Sequence, residues 1–265
     1  MDLSKMRFSA IQRPISSAFT IAEMEARKIR HDSTEMWARS VQPVLWLLIF
    51  GEVFNEIRAG LAPEGFSYLQ YIAPGVLAQS VLFISIFYGI TVVWERDVGL
   101  LTKLMSTPSP RTSIIVGKAL ASGVRGIFQA VVIFALALVL SVNLVLSPQN
   151  IFGTLIVTVL FAMCFSSLSM FIASILRTRE RMMGIGQAIT MPLFFASSAI
   201  YPISLMPQWL QYFALGNPLT YVVDALRALL LPNYNSNLPL DILALLVSTT
   251  LFIALASIFI RRLID

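Results

Sequence analysis

Long apolar runs separated by short basic clusters constrain this chain more than any other feature. Of its 265 residues, 57% are hydrophobic and only 12% are charged, whereas soluble domains carry about a quarter charged residues. A helix needs about 20 apolar residues to cross a bilayer. Six segments qualify: 36–57, 68–94, 109–141, 151–176, 182–201 and 238–260. We therefore predict an all-α integral membrane protein with six transmembrane helices.

The basic residues orient these segments. With both termini in the cytoplasm, 17 of the 19 lysines and arginines fall on the cytoplasmic side, and only Arg58 and Arg227 lie outside. This asymmetry follows the positive-inside rule. It predicts a multi-pass protein of the cell (inner) membrane with a cytoplasmic segment 1–35, a membrane domain 36–260 and a cytoplasmic tail 261–265. Because the basic residues lie almost entirely on the cytoplasmic side of the membrane, the net charge of +5 does not predict a nucleic-acid partner.

Motifs for catalysis or metal binding are not visible in the sequence. A single cysteine, Cys164, excludes a disulfide framework, and the single histidine, His31, has no neighbouring ligand. Gly117-Lys118 lacks the following Ser/Thr and the upstream glycine of a phosphate-binding loop. We therefore expect a non-enzymatic chain that binds no cofactor or metal. Energy for transport would then come from a partner or from an ion gradient.

A charged stretch between the second and third segments carries a helical pattern. Its apolar residues recur at spacings of three and four, which is the period of one helical face: Trp94, Val98, Leu101, Leu104 and Met105. We predict one short amphipathic helix on the cytoplasmic side, ended by Pro108 and Pro110. Periodicity alone leaves open whether it docks on a partner or lies on lipid headgroups.

The segment before the first span predicts a second surface helix. Thr20 and Glu23 have the spacing of a capping box, which marks a helix start. The apolar face of this interface helix is opposed by Glu25, Arg27, Lys28 and Arg30, and its candidate contact residues are Glu23, Arg27, Lys28 and Arg30. Such a helix lies flat on the inner leaflet, either as an anchor to anionic lipid or as a contact for a partner.

Two predicted spans carry distinctive features. Trp46, Phe50 and Phe54 recur every four residues in the first span, a stripe that fits helix packing as well as a binding wall. Pro192 is expected to break the fifth span. The following stretch 203–216 is too short between prolines to cross. It predicts an external re-entrant hairpin, since irregular backbone at membrane depth must be covered by protein or water.

Two separated motifs resemble those of one transporter family. The first runs Glu95-Arg96-Asp97-x-Gly99-x-Leu101-x-x-Leu104-x-x-Thr107-Pro108. The second contains Tyr201-Pro202, Asn217-Pro218, Tyr221 and Asp224-x-x-Arg227. On these motifs the chain resembles the permease subunits of type 2 ATP-binding cassette (ABC) exporters. In that family the first motif is a coupling helix, which docks in a groove of a separate ATP-hydrolysing subunit.

The resemblance implies partners for this chain. They are two copies of an ABC ATPase that binds ATP and Mg²⁺, a second permease copy that is identical or homologous, and membrane lipid. It also implies that the interface helix touches the ATPase and that the first, second and fifth spans face a lateral substrate path. The candidate path residues are Trp46, Phe50, Phe54, Pro192 and Phe195. Asp224 and Arg227, three residues apart, are expected to pair with each other rather than to contact substrate.

The expected function is therefore ATP-driven export of a hydrophobic or amphipathic substrate such as a drug or lipid. Export of a lipid-linked polysaccharide is the alternative within the family. A gradient-driven carrier or channel without an ATPase is the alternative of another class, and a structural membrane scaffold is a third.

Overall fold

The computed structural model describes residues 16–28, 34–50, 53, 63, 65–107, 109–176 and 178–263. Regular structure within these ranges is helical throughout. In chain order the helices are α1 (16–28), α2 (Thr34–Leu45), α3 (Tyr68–Asp97), α4 (Leu100–Met105), α5 (Arg111–Val139), α6 (Pro148–Leu176), α7 (Arg179–Phe195), α8 (Gln208–Gly216), α9 (Pro218–Leu230) and α10 (Leu238–Phe259). A π-helical turn, Trp46–Phe50, extends α2, and 3₁₀ turns lie at Ile203–Leu205 and Ile260–Leu263.

Four helices of the described chain are long and apolar enough to cross a membrane: Tyr68–Asp97, Arg111–Val139, Pro148–Leu176 and Leu238–Arg262. The predicted fifth span corresponds to the shorter helix α7, which has 17 residues. The predicted first span is helical over 34–50, with Pro43 inside α2, and most of its remainder lies outside the described residues. The chain is thus an integral membrane protein by its apolar helices, while the count of six spans stays a prediction.

The core lies where α6 packs against α3, α5 and α10. Leu82, Phe161 and Phe165 are fully buried there, and the two phenylalanine rings meet edge to face at 5.1 Å between centroids. In lipid, such helices associate through close packing, which small residues permit. Gly126 is an example, because a Cβ on it would lie 3.1 Å from Cγ2 of Thr158.

The predicted third segment, 109–141, is one unbroken helix, α5, from Arg111 to Val139. The short amphipathic helix predicted before Pro108 is present as α4, but its predicted start near Trp94 is wrong. α3 continues to Asp97 and ends, and the separate helix α4 begins at Leu100. Gly99 divides them because its φ of +74° is left-handed, a conformation that glycine adopts without steric cost.

The capping box predicted at Thr20 is also wrong. The helix already includes Ser16, and the Thr20 hydroxyl donates to the Ser16 carbonyl oxygen at 2.9 Å. This is the bond that a threonine makes inside a helix, to the residue four positions earlier.

The predicted break at Pro192 is displaced. α7 continues through Pro192 to Phe195, and the Ala196 amide still donates to the Pro192 carbonyl oxygen. Asn217 ends α7, because its Nδ2 donates to the carbonyl oxygens of Leu193 and Ala196 at 2.7 and 3.0 Å. Helix ends leave such carbonyls without partners, and a side chain from a later segment satisfies them here.

The stretch after α7 forms two helices joined at Asn217, α8 and α9. Asn217 accepts from the Leu219 amide and caps α9, and Pro218 suits the first turn. α9 packs on α6, α10 and α3. α8 leaves Trp209, Tyr212 and Phe213 exposed.

Candidate functional site

Four charged residues from three helices meet inside the protein at the α4 end of α3. We call this group the ionic cluster: Glu25 and Lys28 of α1, Glu95 of α3 and Lys118 of α5. Lys118 Nζ lies 3.0 Å from Glu25 Oε1 and also contacts Glu95 Oε2. Lys28 Nζ lies 3.1 Å from Glu25 and 2.9 Å from Glu95. The alternation of two cations with two anions joins α1, α3 and α5.

The ionic cluster is deeply buried. The side chain of Lys118 is 0% exposed and those of both glutamates are 1% exposed, whereas Lys28 is 43% exposed. Burial raises the pKa of Glu25, but Lys118 and Lys28 outweigh it and lower that pKa from 4.5 to about 2. Glu25 is therefore charged at neutral pH. Removing one partner of a buried ion pair is costly, because it leaves a charge without compensation.

Close approach of α1 to α5 makes the cluster possible. A Cβ on Gly117 would lie 2.6 Å from the Ala18 carbonyl oxygen and 2.8 Å from Cβ of Ile21, so only glycine allows the two backbones to meet there. The next residue, Lys118, reaches Glu25 one turn further along α1. Ser109 adds a contact between the same segments by donating to Ser17 Oγ at 3.3 Å.

α4 is attached to the same end of the protein by the apolar side chains of Leu101 and Met105. Leu101 is fully buried and packs in a cluster that includes Val92 and Ile115. The opposite face of α4 carries Thr102 and Lys103, which are exposed. α4 thus presents a polar surface beside the ionic cluster while its apolar face fixes it to α3 and α5.

The predicted coupling residues divide into buried and exposed groups. Glu95 and Leu101 point into the protein, and Leu104 is half-buried. The Thr107 hydroxyl donates to the Leu104 carbonyl oxygen at 2.6 Å and closes the end of α4. Pro108 lies outside the described residues.

Arg96 and Asp97 link α3 to α7. Asp97 Oδ1 lies 2.6 Å from Nη2 of Arg96, and its Oδ2 lies 3.0 Å from Nη2 of Arg179, the first residue of α7. These side chains are partly exposed. The motif predicted to be a docking surface therefore also joins the end of α3 to the start of α7.

Of the predicted interface-helix residues, only Lys28 enters the ionic cluster. Glu23 and Arg27 pair with each other on the surface at 2.7 Å. Arg30 lies outside the described residues. Sequence reasoning placed Glu25 only on the charged face of the interface helix and Lys118 only on the cytoplasmic side, and it missed their buried contact. A lysine that close to an apolar run is itself a signal, since ionisable residues at such positions are costly and mark functional sites.

The candidate path residues are partly brought together. Trp46 packs edge to face on Phe194, with centroids 6.4 Å apart, and Phe195 lies 5.6 Å beyond. Pro192 is exposed on the same helix. The side chain of Phe50 and the whole of Phe54 lie outside the described residues.

The second motif surrounds a buried arginine at the other end of α3. The side chain of Arg227, which the sequence places on the outer side of the membrane, is 0% exposed. Its guanidinium stacks 3.6 Å from the Tyr71 ring centroid and donates to the carbonyl oxygens of Tyr71 and Ala199 at 3.4 and 3.2 Å. The predicted local pair with Asp224 is confirmed at 3.6 Å. Asp224 in turn accepts from the Ser198 hydroxyl at 3.0 Å.

The other residues of the second motif also satisfy backbone groups. Tyr201 donates through its hydroxyl to the Phe195 carbonyl oxygen at 2.8 Å, and Tyr221 donates likewise to that of Leu215 at 2.7 Å. Pro202 precedes the 3₁₀ turn Ile203–Leu205 and Pro218 begins α9. This motif therefore shapes the turns around α8 rather than forming an open site.

Nothing in the described residues groups three or more His, Cys, Asp or Glu side chains as a metal site would. Cys164 is buried without a disulfide partner. The residues of the ionic cluster and of α4 therefore form a connection between helices rather than a binding site. α4 has an exposed polar face, and the buried charges beside it join α3 to α1 and α5.

The model of the ABC-2 type transporter family matches residues 17–231. A putative transport permease, ycf38, of Cyanophora paradoxa is 29% identical over 71% of this chain and 65% of its own length. The daunorubicin resistance ABC transporter permease protein DrrB1 of Streptomyces coeruleorubidus is 22% identical over 84% of this chain and 79% of its own. The inner membrane transport permease YadH of Escherichia coli K12 is 24% identical over 74% and 77%. The chain thus spans about two thirds of the length of its algal relatives, and it belongs to the ABC-2 type transporter family.

Proposed function

We propose that this chain is the membrane subunit of an ATP-driven exporter in the cell inner membrane. In this proposal it crosses the membrane six times with both termini in the cytoplasm. It pairs with a second permease copy, and two copies of a separate ABC ATPase, which bind ATP and Mg²⁺, lie beneath it. The cargo is a hydrophobic or amphipathic molecule, and the daunorubicin resistance relative supports a drug of this kind.

The ionic cluster is the observation that carries this proposal. It connects α1, α3 and α5 directly behind α4, the element that exposes Thr102 and Lys103. A force applied to α4 would pass through the buried Leu101 to α3 and α5, and through the cluster to α1. The ATPase would therefore move one rigid unit rather than a free loop.

The helices α3 and α5 are long enough to carry such a displacement to the other end of the protein. α3 has 30 residues and α5 has 29, and at about 1.5 Å per residue each is about 45 Å long. A displacement at the ionic cluster is thus passed along two continuous helices to the Arg227 end of the protein. α7 joins the same movement through the ion pair of Arg179 with Asp97.

ATP-dependent uptake into inside-out membrane vesicles tests the proposal, with the chain and its ATPase expressed together and daunorubicin as the probe. We expect uptake when ATP is added and loss of uptake in Gly99→Pro. Proline fixes φ near −65°, which is incompatible with the φ of +74° at this position. Membrane insertion of Gly99→Pro should stay intact.

Gly184→Ala is the matched control, because Gly184 lies inside α7 with open space around it. Its uptake should equal that of the parent. Uptake that needs only an ion gradient, or that is unchanged in Gly99→Pro, contradicts the proposal. Absence of ATP-dependent uptake in the parent contradicts the assignment to this class of drug.

A further inference from the structure

Arg125 is a cation in the middle of α5 that makes no ion pair with any residue of the described chain. It follows Lys118 by two turns of the helix and thus lies about 10 Å from the ionic cluster. No charged residue comes after it before Arg177, so the rest of α5 and all of α6 are uncharged. A cation at the start of such an apolar run is costly unless an anion compensates it.

A ring and a backbone carbonyl hold the guanidinium of Arg125. Its central carbon lies 4.7 Å from the ring centroid of Tyr88, a buried residue of α3. Nη1 donates to the Ala121 carbonyl oxygen at 3.5 Å. Nε and Nη2 donate to nothing in the part of the chain that the structure describes, yet neither is a buried unpaired atom, so both keep accessible surface. They form one edge of the planar fork, which matches two oxygens of a phosphate.

Two aromatic rings lie next to Arg125, since Phe128 is three residues further along α5 and positions three apart are neighbours on a helix. Phe128 meets the Trp37 ring of α2 edge to face, with 5.2 Å between centroids. Trp37 is exposed, and Val41 and Leu45 continue the same exposed face of α2 at four-residue spacing. Tryptophan is enriched where membrane headgroups meet acyl chains. The surface thus offers a phosphate-binding edge next to apolar side chains that suit an acyl chain.

The charges around Arg125 favour an anionic lipid over a zwitterionic one. The ionic cluster is itself neutral, because it pairs two lysines with two glutamates. Arg125 therefore carries an uncompensated positive charge. A phosphodiester without an ammonium group neutralises that charge, whereas the ammonium of phosphatidylethanolamine would bring a further cation to the same place.

We propose that Arg125, Phe128 and Trp37 form a binding site for one anionic phospholipid of the surrounding membrane. Two phosphate oxygens accept hydrogen bonds from Nε and Nη2 of Arg125. The glycerol lies against Trp37 and Phe128, and an acyl chain follows Val41 and Leu45. The lipid is a bound component that joins α2 to α5 and not the cargo, so the proposal goes beyond the export function and does not depend on it.

Native mass spectrometry of the full chain in detergent tests the proposal, with equal amounts of phosphatidylglycerol and phosphatidylethanolamine that share the same acyl chains. The first lipid bound should be phosphatidylglycerol by about fivefold, because one basic residue attracts an anionic lipid to about that extent. Arg125→Gln should abolish this preference. Arg111→Gln, the same change at the exposed first residue of α5, should leave it unchanged.

Two further variants separate the charge from the packing. Arg125→Lys keeps the charge but not the planar fork, so it should bind phosphatidylglycerol more weakly and still prefer it. Trp37→Ala removes the exposed ring and should weaken both lipids about fivefold without changing their ratio. An excess of glycerol phosphate, which has the phosphate but no acyl chain, should not displace the lipid. If Arg125→Gln does not fold, the parent's preference, Trp37→Ala and the glycerol phosphate competition decide the question.

The proposal is overturned if the parent binds the two lipids equally, if Arg125→Gln keeps the preference, or if Trp37→Ala binds both lipids like the parent. Displacement by glycerol phosphate would show a site for soluble anions and would also overturn it. None of these outcomes changes the test of the export function, which is ATP-dependent uptake.

Discussion

Both ends of α3 contain buried charge, but the two sites are built differently. In the ionic cluster, Lys118 is surrounded by carboxylates from two other helices. At the opposite end, Arg227 bonds mainly to backbone carbonyls and to the ring of Tyr71, with one carboxylate at 3.6 Å. The first site joins helices through charged side chains, so the substitution or protonation of one of them weakens the site. The second fixes backbone turns through a planar donor, for which the geometry matters more than the charge.

The largest loss of stability is expected at the ionic cluster. Lys118→Met leaves Glu25 and Glu95 facing each other with only the half-exposed Lys28 between them, and breaking such a pair costs about 3–5 kcal/mol. Unfolding of the purified protein in detergent measures the loss. Lys103→Met, on the exposed face of α4, is the control and should stay within about 0.5 kcal/mol. Equal stability of the two variants would show that the ionic cluster does not stabilise the protein.

The arginine site should depend on shape. Arg227→Lys keeps the charge but loses the planar fork that reaches two carbonyls and stacks on Tyr71, so we expect a loss of about 2 kcal/mol. The control is Arg262→Lys, since Arg262 is exposed and lies 4.6 Å over the Phe259 ring. If both changes are equally mild, charge alone accounts for the Arg227 site.

Gly99, between α3 and α4, should show a smaller effect. Space around it is open, but its φ is +74°, so Gly99→Ala is strained by the backbone alone and should cost about 1 kcal/mol. Gly184→Ala lies in the helical interior of α7, where the same change should stabilise by about 0.5–1 kcal/mol. The measured free energy of unfolding should therefore fall in Gly99→Ala and rise in Gly184→Ala. The same sign in both would mean that the left-handed turn is not required.

Acid should also weaken the ionic cluster, because the cluster holds Glu25 in its charged form. Because the pKa of Glu25 is lowered from 4.5 to about 2, its stabilising contribution is fully present above about pH 4.5 and is lost as the pH falls toward about 2. Unfolding midpoints at pH 7, 4 and 3 measure this loss. Glu25→Gln lacks the titrating group, so its stability should depend less on pH over that interval. Identical pH profiles for the parent and the variant would contradict the assignment.

Sequence patterns predicted the long helices but not what joins them. α5 follows from an apolar run without breakers, whereas the division at Gly99 was missed because the spacing of apolar residues continues across it. Thr20 was misread because a Thr–Glu spacing fits a helix interior as well as a helix start. Lys118 was assigned only to a membrane side, since its partner Glu25 is 93 positions away. The burial of Arg227 was not predicted for the same reason, because it bonds to Tyr71, 156 positions away.

Photocrosslinking from α4 in intact cells tests the central claim most directly. A photoreactive amino acid replaces Lys103 in the full chain, and the matched position is Trp209, exposed on α8. The account predicts a crosslink between position 103 and an ABC ATPase, none from position 209, and loss of the product when that ATPase is deleted. Crosslinks from position 103 that reach only lipid, or a position 103 accessible from outside the cell, would contradict it.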